Sequence, residues 1–198
     1  MRHPAPAAGV AHLLRADARA NHDRILAAAN HVFGVHGLDA EMKDVASHAG
    51  VSIGTLYRNF PTRDDLVVAM FQGCKDHFFA VFEEALALAD PIEALRLVYR
   101  GGFAIKEQSG AMMEALQRGL PPSCADRLEI PDFSGAVEEL LARGMASGAL
   151  RADLDLTIAA SQLLTSFHTP QLAQLRASRT SDEIADAYLD LFLRATRA

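Results

Sequence analysis

The chain has 198 residues, half of them hydrophobic, with no tryptophan, two cysteines and a formal net charge of −6. No apolar run approaches the ~20 residues that span a bilayer, Met1 to Val10 is Ala/Pro-rich without a signal-peptide core, and Cys74 and Cys124 are too few for a disulfide framework. These features exclude a membrane-spanning or disulfide-built secreted protein and point to the cytoplasm. The charge is uneven: residues 1–63 carry 7 Lys/Arg against 5 Asp/Glu (+2), and residues 64–198 carry 12 against 20 (−8). Attraction to phosphate follows the local field, so a mildly basic head on an acidic body remains compatible with nucleic acid.

Residues 1–18 read as a disordered tail, in which Arg15, with Arg19 just beyond, could reach DNA as a flexible arm or stay solvated. The first firm helix is expected over 21–36, with Ile25, Ala28, Ala29, Val32 and Phe33 on one apolar stripe and Gly37 as its stop. A second is expected over 41–48, burying Met42, Val45, Ala46 and Ala49 and presenting Lys43 near its start. Gly50 suits a left-handed turn, and Ser52 suits the N-cap of a short third helix. On that helix Ile53, Leu56 and Phe60 share an i, i+3, i+7 face, while Thr55, Arg58 and Asn59 look elsewhere. A greasy back with a small, hydroxylic and basic front can lie in a major groove.

Pro61 breaks the third helix, and Thr62 with Asp65 forms a capping box for a long fourth helix from Arg63 to about Ala89. At ~1.5 Å per residue that helix could carry a signal over ~40 Å. Asp90-Pro91 opens a helix to about Gln108, Ser109-Gly110 interrupts it, and a short helix follows over 111–119. Residues 119–131 read as a Pro-rich connector. Further helices are expected over 133–147, ended by Gly148; from a cap at Asp153 or Asp155 to about His168; and over 181–196 behind the capping box Thr180-Ser181-Asp182-Glu183. Helices joined through Gly and Pro, with no strand pattern, predict an all-α protein of about nine helices.

The run Val45-Ala46-Ser47-His48-Ala49-Gly50-Val51-Ser52, followed by Gly54, Leu56-Tyr57, Phe60, Arg63 and Leu66, resembles the helix-turn-helix of the TetR family of transcriptional regulators. The family form is roughly Ile-Ala-x-x-Ala-Gly-Val-Ser-x-Gly-x-Leu-Tyr, then Phe, Lys and Leu in the same register. Arg63 stands where lysine is usual. Gly37-Leu38-Asp39-Ala40-Glu41-Met42 departs from the commoner form, and Glu41 adds a carboxylate near the expected DNA surface.

The resemblance implies a DNA-binding domain over 19–79 and a ligand-binding and dimerisation body over 80–198. Ile53, Gly54 and Thr55 match positions that lie against bases, and Arg58 is placed to join them. Tyr57 and Arg63 match phosphate-contacting positions, and Met42 and Lys43 match positions at the groove edge. Ser52 and Asn59 complete the expected DNA-binding set. The lesser alternative for Tyr57 is a core residue with an exposed hydroxyl. An unidentified small-molecule effector is implied, with Phe103, Met112, Met113, Leu116, Phe133, Phe167 and His168 as pocket candidates. Met and Phe at helical spacing also fit a plain core, and His168 also fits a helix end favoured by the dipole. The last helices carry apolar stripes expected to pair with a second copy: Leu163 and Leu164 with Ile158 and Phe167 on one, Ile184, Tyr188, Leu191 and Phe192 on the other.

The resulting expectation is a ligand-responsive repressor that binds a palindromic operator in double-stranded DNA as a homodimer. The alternative is a helical dimeric interaction module or carrier without specific DNA binding. No Cys-x-x-Cys, His-Glu-x-x-His, Gly-x-Ser-x-Gly or P-loop occurs, and His31 and His36 are i, i+5 on a helix and share no face. No enzyme, cofactor or metal is therefore expected.

Overall fold

Ten helices and no strand make up the described residues: α1 (Ala8–His36), α2 (Met42–Ala49), α3 (Ile53–Asn59), α4 (Arg63–Ala87), α5 (Pro91–Gln117), α6 (Pro122–Ala125), α7 (Ser134–Ala146), α8 (Leu156–Ser166), α9 (Leu172–Arg176) and α10 (Ser181–Thr196). The computed structural model describes residues 8–117, 122–125, 127, 132–167 and 171–197. These fall into two compact units, one drawn from 1–72 and 111–128, the other from 73–110 and 129–198. The first division lies on α4, earlier than the expected 79/80 boundary, and a second lies on α5 at 110/111, so 111–128, expected in the body, group with the first unit.

The first unit is built as its apolar spacing requires. Ile25, Ala28, Ala29, Val32 and Phe33 of α1 are buried, as are Met42, Val45, Ala46 and Ala49 of α2, Leu56 and Phe60, and Leu66, Val67 and Met70 of α4. Each fully buried Ile, Leu, Val or Phe contributes ~1.5–3 kcal/mol relative to exposure, so this small stack has a real core. Gly50 takes φ 65°, and the Val51 N–H returns to the Ala46 carbonyl at 3.0 Å, closing α2. A side chain with a Cβ would be strained there. At the start of α4, Thr62 N–H donates to Asp65 Oδ2 at 3.0 Å and Asp65 N–H to Thr62 Oγ1 at 3.1 Å, the expected reciprocal cap. Arg127 also donates to Asp65, at 2.8 Å. The Asp65 carboxyl is held below its ordinary range, first by the Thr62 hydroxyl and next by Arg127.

The second unit has a continuous core of Phe82, Leu95, Val98, Tyr99, Phe103, Val137, Leu140, Leu141, Leu163, Phe167, Ile184 and Leu189. Asp155 caps α8, accepting the Ile158 N–H at 3.0 Å, and Thr180 and Glu183 form the capping box of α10. Arg100 makes a two-toothed pair with Asp186 at 3.1 and 2.8 Å, tying α5 to α10.

Three expectations change. The helix expected from residue 21 begins at Ala8, so residues 8–18 continue α1 instead of forming a tail. Ser109-Gly110 does not interrupt α5, which runs unbroken to Gln117. Glycine weakens a helix by only ~1 kcal/mol, and Ser109 is itself buried with its hydroxyl bonded to Cys74. The short helices α6 and α9 lie outside the elements the sequence pattern predicts. Both cysteines are buried and free, and burial pushes both thiols up, which leaves little thiolate for redox chemistry. Among the described residues no helix is long and apolar enough to cross a membrane, and no group of three or more His, Cys, Asp or Glu is placed to hold a metal ion.

Candidate nucleic-acid interface

The turn after α2 delivers α3 with its polar side outward. Ser52 is extended at φ −69°, ψ 150°, and its Oγ accepts the Thr55 backbone N–H at 3.1 Å. Leu56 is fully buried and Phe60 nearly so, which fixes the rotation of the helix. Ile53 then stands 44% exposed and Tyr57 46% exposed. Ile53 therefore does not share the buried face with Leu56, because as the first residue of a seven-residue helix it lies at the mouth of the turn. Tyr57 is a surface residue and not a core one. Gly54 faces open space: a Cβ there would meet only Ser52 Oγ, at 3.9 Å. Its backbone is ordinary right-handed helix, so nothing within the chain requires a glycine.

The cations of this surface are each held by a neighbour. Arg58 Nη2 donates to Thr55 Oγ1 at 3.1 Å, and Thr55 Oγ1 lies 2.9 Å from Ser52 Oγ. Arg63 is half-buried and donates from Nη1 to the Leu38 carbonyl at 2.9 Å. Four further N–H groups of that guanidinium remain. Lys43 Nζ sits 2.7 Å from Glu41 Oε2, both side chains about two-thirds exposed. The hydrogen bond to Glu41 raises the Lys43 pKa, so the amine stays a cation. Two expected residues are turned inward. Met42 is 7% exposed and belongs to the core rather than the groove edge, because α2 buries it with Val45 and Ala46. Asn59 is half-buried and donates from Nδ2 to the Thr55 carbonyl at 2.8 Å.

An exposed helix after a glycine turn, fronted by Ile53, Gly54, Tyr57 and Arg58, is the geometry of a helix-turn-helix reader. Residues 25–70 match the family model for bacterial regulatory proteins of the tetR family. Residues 25–70 thus form a tetR-type regulatory domain. Over 149 residues it is 27% identical to the transcriptional repressor KstR2 of Mycolicibacterium smegmatis, covering 69% of this chain and 70% of that protein. Among solved structures, the TetR family regulator PfmR of Thermus thermophilus superposes with a TM-score of 0.69 at 26% identity, covering 86% of this chain and 97% of that one. The ketosteroid regulator KstR2 of Mycobacterium tuberculosis gives 0.66 at 24% identity, over 89% and 95% of the two chains. The chain is thus an all-α, DNA-binding transcriptional regulator with a tetR-type head.

In the body of the chain, three of the expected pocket residues meet in one aromatic cluster. Phe103 and Phe167 have ring centroids 5.2 Å apart, and Phe78 links Phe167 at 6.3 Å to Phe133 at 5.6 Å. Tyr99 joins them 5.9 Å from Phe167, and Phe82 joins 5.2 Å from Phe133. The i, i+4 pairs Phe78/Phe82 and Tyr99/Phe103 could have flagged these extra members. Burial pushes the Tyr99 phenol up. Met112, Met113 and Leu116 lie on α5, but their side chains are outside the described residues, as is all of His168.

The stripes expected to pair with a second copy are mostly covered by the chain itself. Leu163, Ile184 and Phe192 are buried in the body core, and Leu164 and Tyr188 are half-buried. Three helices packed on α8 and α10 shelter more than amphipathicity alone revealed. What stays open is narrower: Ile158 at 67% and Leu191 at 65% exposure. They border a groove of about 430 Å³ between α8 and α10, with Gln162 and Ala195 on its walls.

Proposed function

We propose that the protein is a ligand-responsive repressor that acts in the cytoplasm and binds a near-palindromic operator as a homodimer. The observation that carries the DNA-binding half is the outward face of α3. It holds Ile53, Tyr57 and Arg58 exposed around a Gly54 that the chain's own packing does not need. A missing Cβ on an exposed helix lets the backbone approach a surface brought from outside. Lys43, Tyr57 and Arg63 take the phosphates, Arg58 reads a base, and Ser52 and Thr55 shape the helix that presents them. A relative's name as a repressor supports the sign of the effect.

Dimerisation is supported by Ile158 and Leu191, two large apolar side chains standing in water beside one groove. A twofold pair through α8 and α10 would present two recognition helices to half-sites one or more turns apart. The effector is proposed as an apolar small molecule held among Phe103, Phe133 and Phe167. Binding one of two arrangements of the body more tightly would shift the population of DNA-competent dimer by that differential affinity. The ketosteroid regulator among the similar structures is consistent with an apolar effector class.

A gel-shift with DNA flanking the protein's own gene tests the reading. Tyr57→Ala and Arg58→Ala should each weaken binding by roughly tenfold or more, the scale of one good groove contact. Unaltered binding by both variants would remove α3 as the recognition surface.

A further inference from the structure

We infer that Thr55 serves DNA recognition through Arg58: its hydroxyl, anchored on the Ser52 N-cap, aims the Arg58 guanidinium at a guanine, and Thr55 is a positioning residue and not itself a base contact. The inference rests on the DNA-binding reading above.

Residues 52, 55 and 58 recur every third position, so they form a line along one side of α3. The bonds follow that line. Ser52 Oγ accepts the Thr55 N–H at 3.1 Å, Ser52 Oγ and Thr55 Oγ1 are 2.9 Å apart, and Arg58 Nη2 donates to Thr55 Oγ1 at 3.1 Å. Thr55 is half-buried while Arg58 is exposed, so the hydroxyl lies behind the cation as a support. Its near end is fixed by the helix cap. Its far end holds one nitrogen of the guanidinium.

The chemistry leaves the reading edge intact. Arginine reads guanine by presenting two N–H groups together to O6 and N7. A guanidinium has two such edges, Nε with Nη2 and Nη1 with Nη2. Thr55 takes one of the two Nη2 hydrogens, so one complete edge stays free whichever hydrogen it takes. Arginine otherwise loses considerable side-chain freedom when it docks. Holding Nη2 beforehand removes part of that loss and narrows the angles from which a base can be approached. The consequence is selectivity at one base pair, not added grip on the backbone.

The test is selection from a randomised duplex pool with the purified full-length protein, its variants sequenced in parallel and each checked by a circular dichroism melt. Wild-type protein should enrich a palindrome with one guanine per half-site that Arg58→Ala no longer selects. Thr55→Val keeps the shape and β-branching but removes the hydroxyl. It should lower preference at that same guanine about fivefold or more, with other positions changed less than about twofold. Thr55→Ser restores the hydroxyl and should restore the preference. The inference is overturned if Thr55→Val leaves the guanine preference intact, if it alters a base pair other than the one Arg58→Ala alters, or if Thr55→Ser behaves like Thr55→Val. Enrichment of no motif by the wild-type protein would instead overturn the DNA-binding reading itself.

Discussion

Gly54 in the head and Gly102 in the body look alike in the sequence and do opposite things. A Cβ on Gly102 would lie 2.5 Å from the Phe167 ring, and that ring is itself 98% buried, with Phe78, Tyr99 and Phe103 around it. A Cβ on Gly54 would enter open space. The body therefore uses a missing side chain to close on itself, and the head uses one to stay open. The same contrast holds for the aromatic residues: Phe103 and Phe167 are buried, whereas Tyr57 is 46% exposed. One unit is organised around its interior and the other around a surface.

The comparison breaks most visibly where the body itself becomes a surface. Leu191→Asp, alone or with Ile158→Asp, should convert the proposed dimer to monomer in analytical ultracentrifugation while the helical content stays unchanged. Both side chains are more than 60% exposed, so a charge there disturbs nothing inside one chain. A dimer that survives the double change would place the partner surface elsewhere. Next in size is Gly102→Ala. Crowding a packed core costs ~1–3 kcal/mol, and a ring held on several sides has little room to yield. A domain of this size should then lose ~2–4 °C of melting temperature per kcal/mol.

Gly54→Ala is the matched change in the head and should act in the opposite sense. Alanine in an exposed helix is favoured over glycine by ~0.5–1 kcal/mol, so thermal stability should hold or rise slightly. Operator binding should fall all the same, because the new methyl occupies the space a duplex would fill. A variant that is both less stable and binding-deficient would show that Gly54 serves the fold. A variant that is unchanged in binding would show that the backbone at Gly54 does not approach DNA.

The sharpness of the head in the sequence follows from the same difference. The turn glycine, the Ser52 cap and the buried Leu56 and Phe60 are local features, and local features set the rotation of α3. The caps at Thr62, Asp155 and Thr180 were legible for the same reason. Periodicity misplaces Ile53, since a seven-residue helix has too few turns for its spacing to decide which end residue is covered. The body was less legible because its decisions are non-local. Ser109-Gly110 reads as a break until Ser109 is seen buried against Cys74. Leu163, Ile184 and Phe192 read as partner-facing until the other helices are seen to cover them. Amphipathicity shows that a face is buried and says nothing of whose side chains bury it.

The smallest expected effect concerns Glu41, the one carboxylate that the described residues place within ion-pair distance of a cation proposed to meet DNA. Its Oε2 lies 2.7 Å from Lys43 Nζ, with both groups largely in water. An ion pair so exposed contributes little to folding, so Glu41→Gln should leave the melting curve unchanged. It should, however, remove a negative charge from the approaching phosphates and release the amine to meet one. Binding should tighten by roughly two- to fivefold at low salt, with the gain shrinking as salt screens the surface. Proton uptake does not confuse the result. Glu41 raises the Lys43 pKa above its ordinary value, and its removal lets that value fall back to one at which the amine is still a cation near neutral pH. Weaker binding by Glu41→Gln would mean that Glu41 aims Lys43 at the duplex instead of competing for it. That outcome would give the second helix the same kind of internal guide that Thr55 provides in the third.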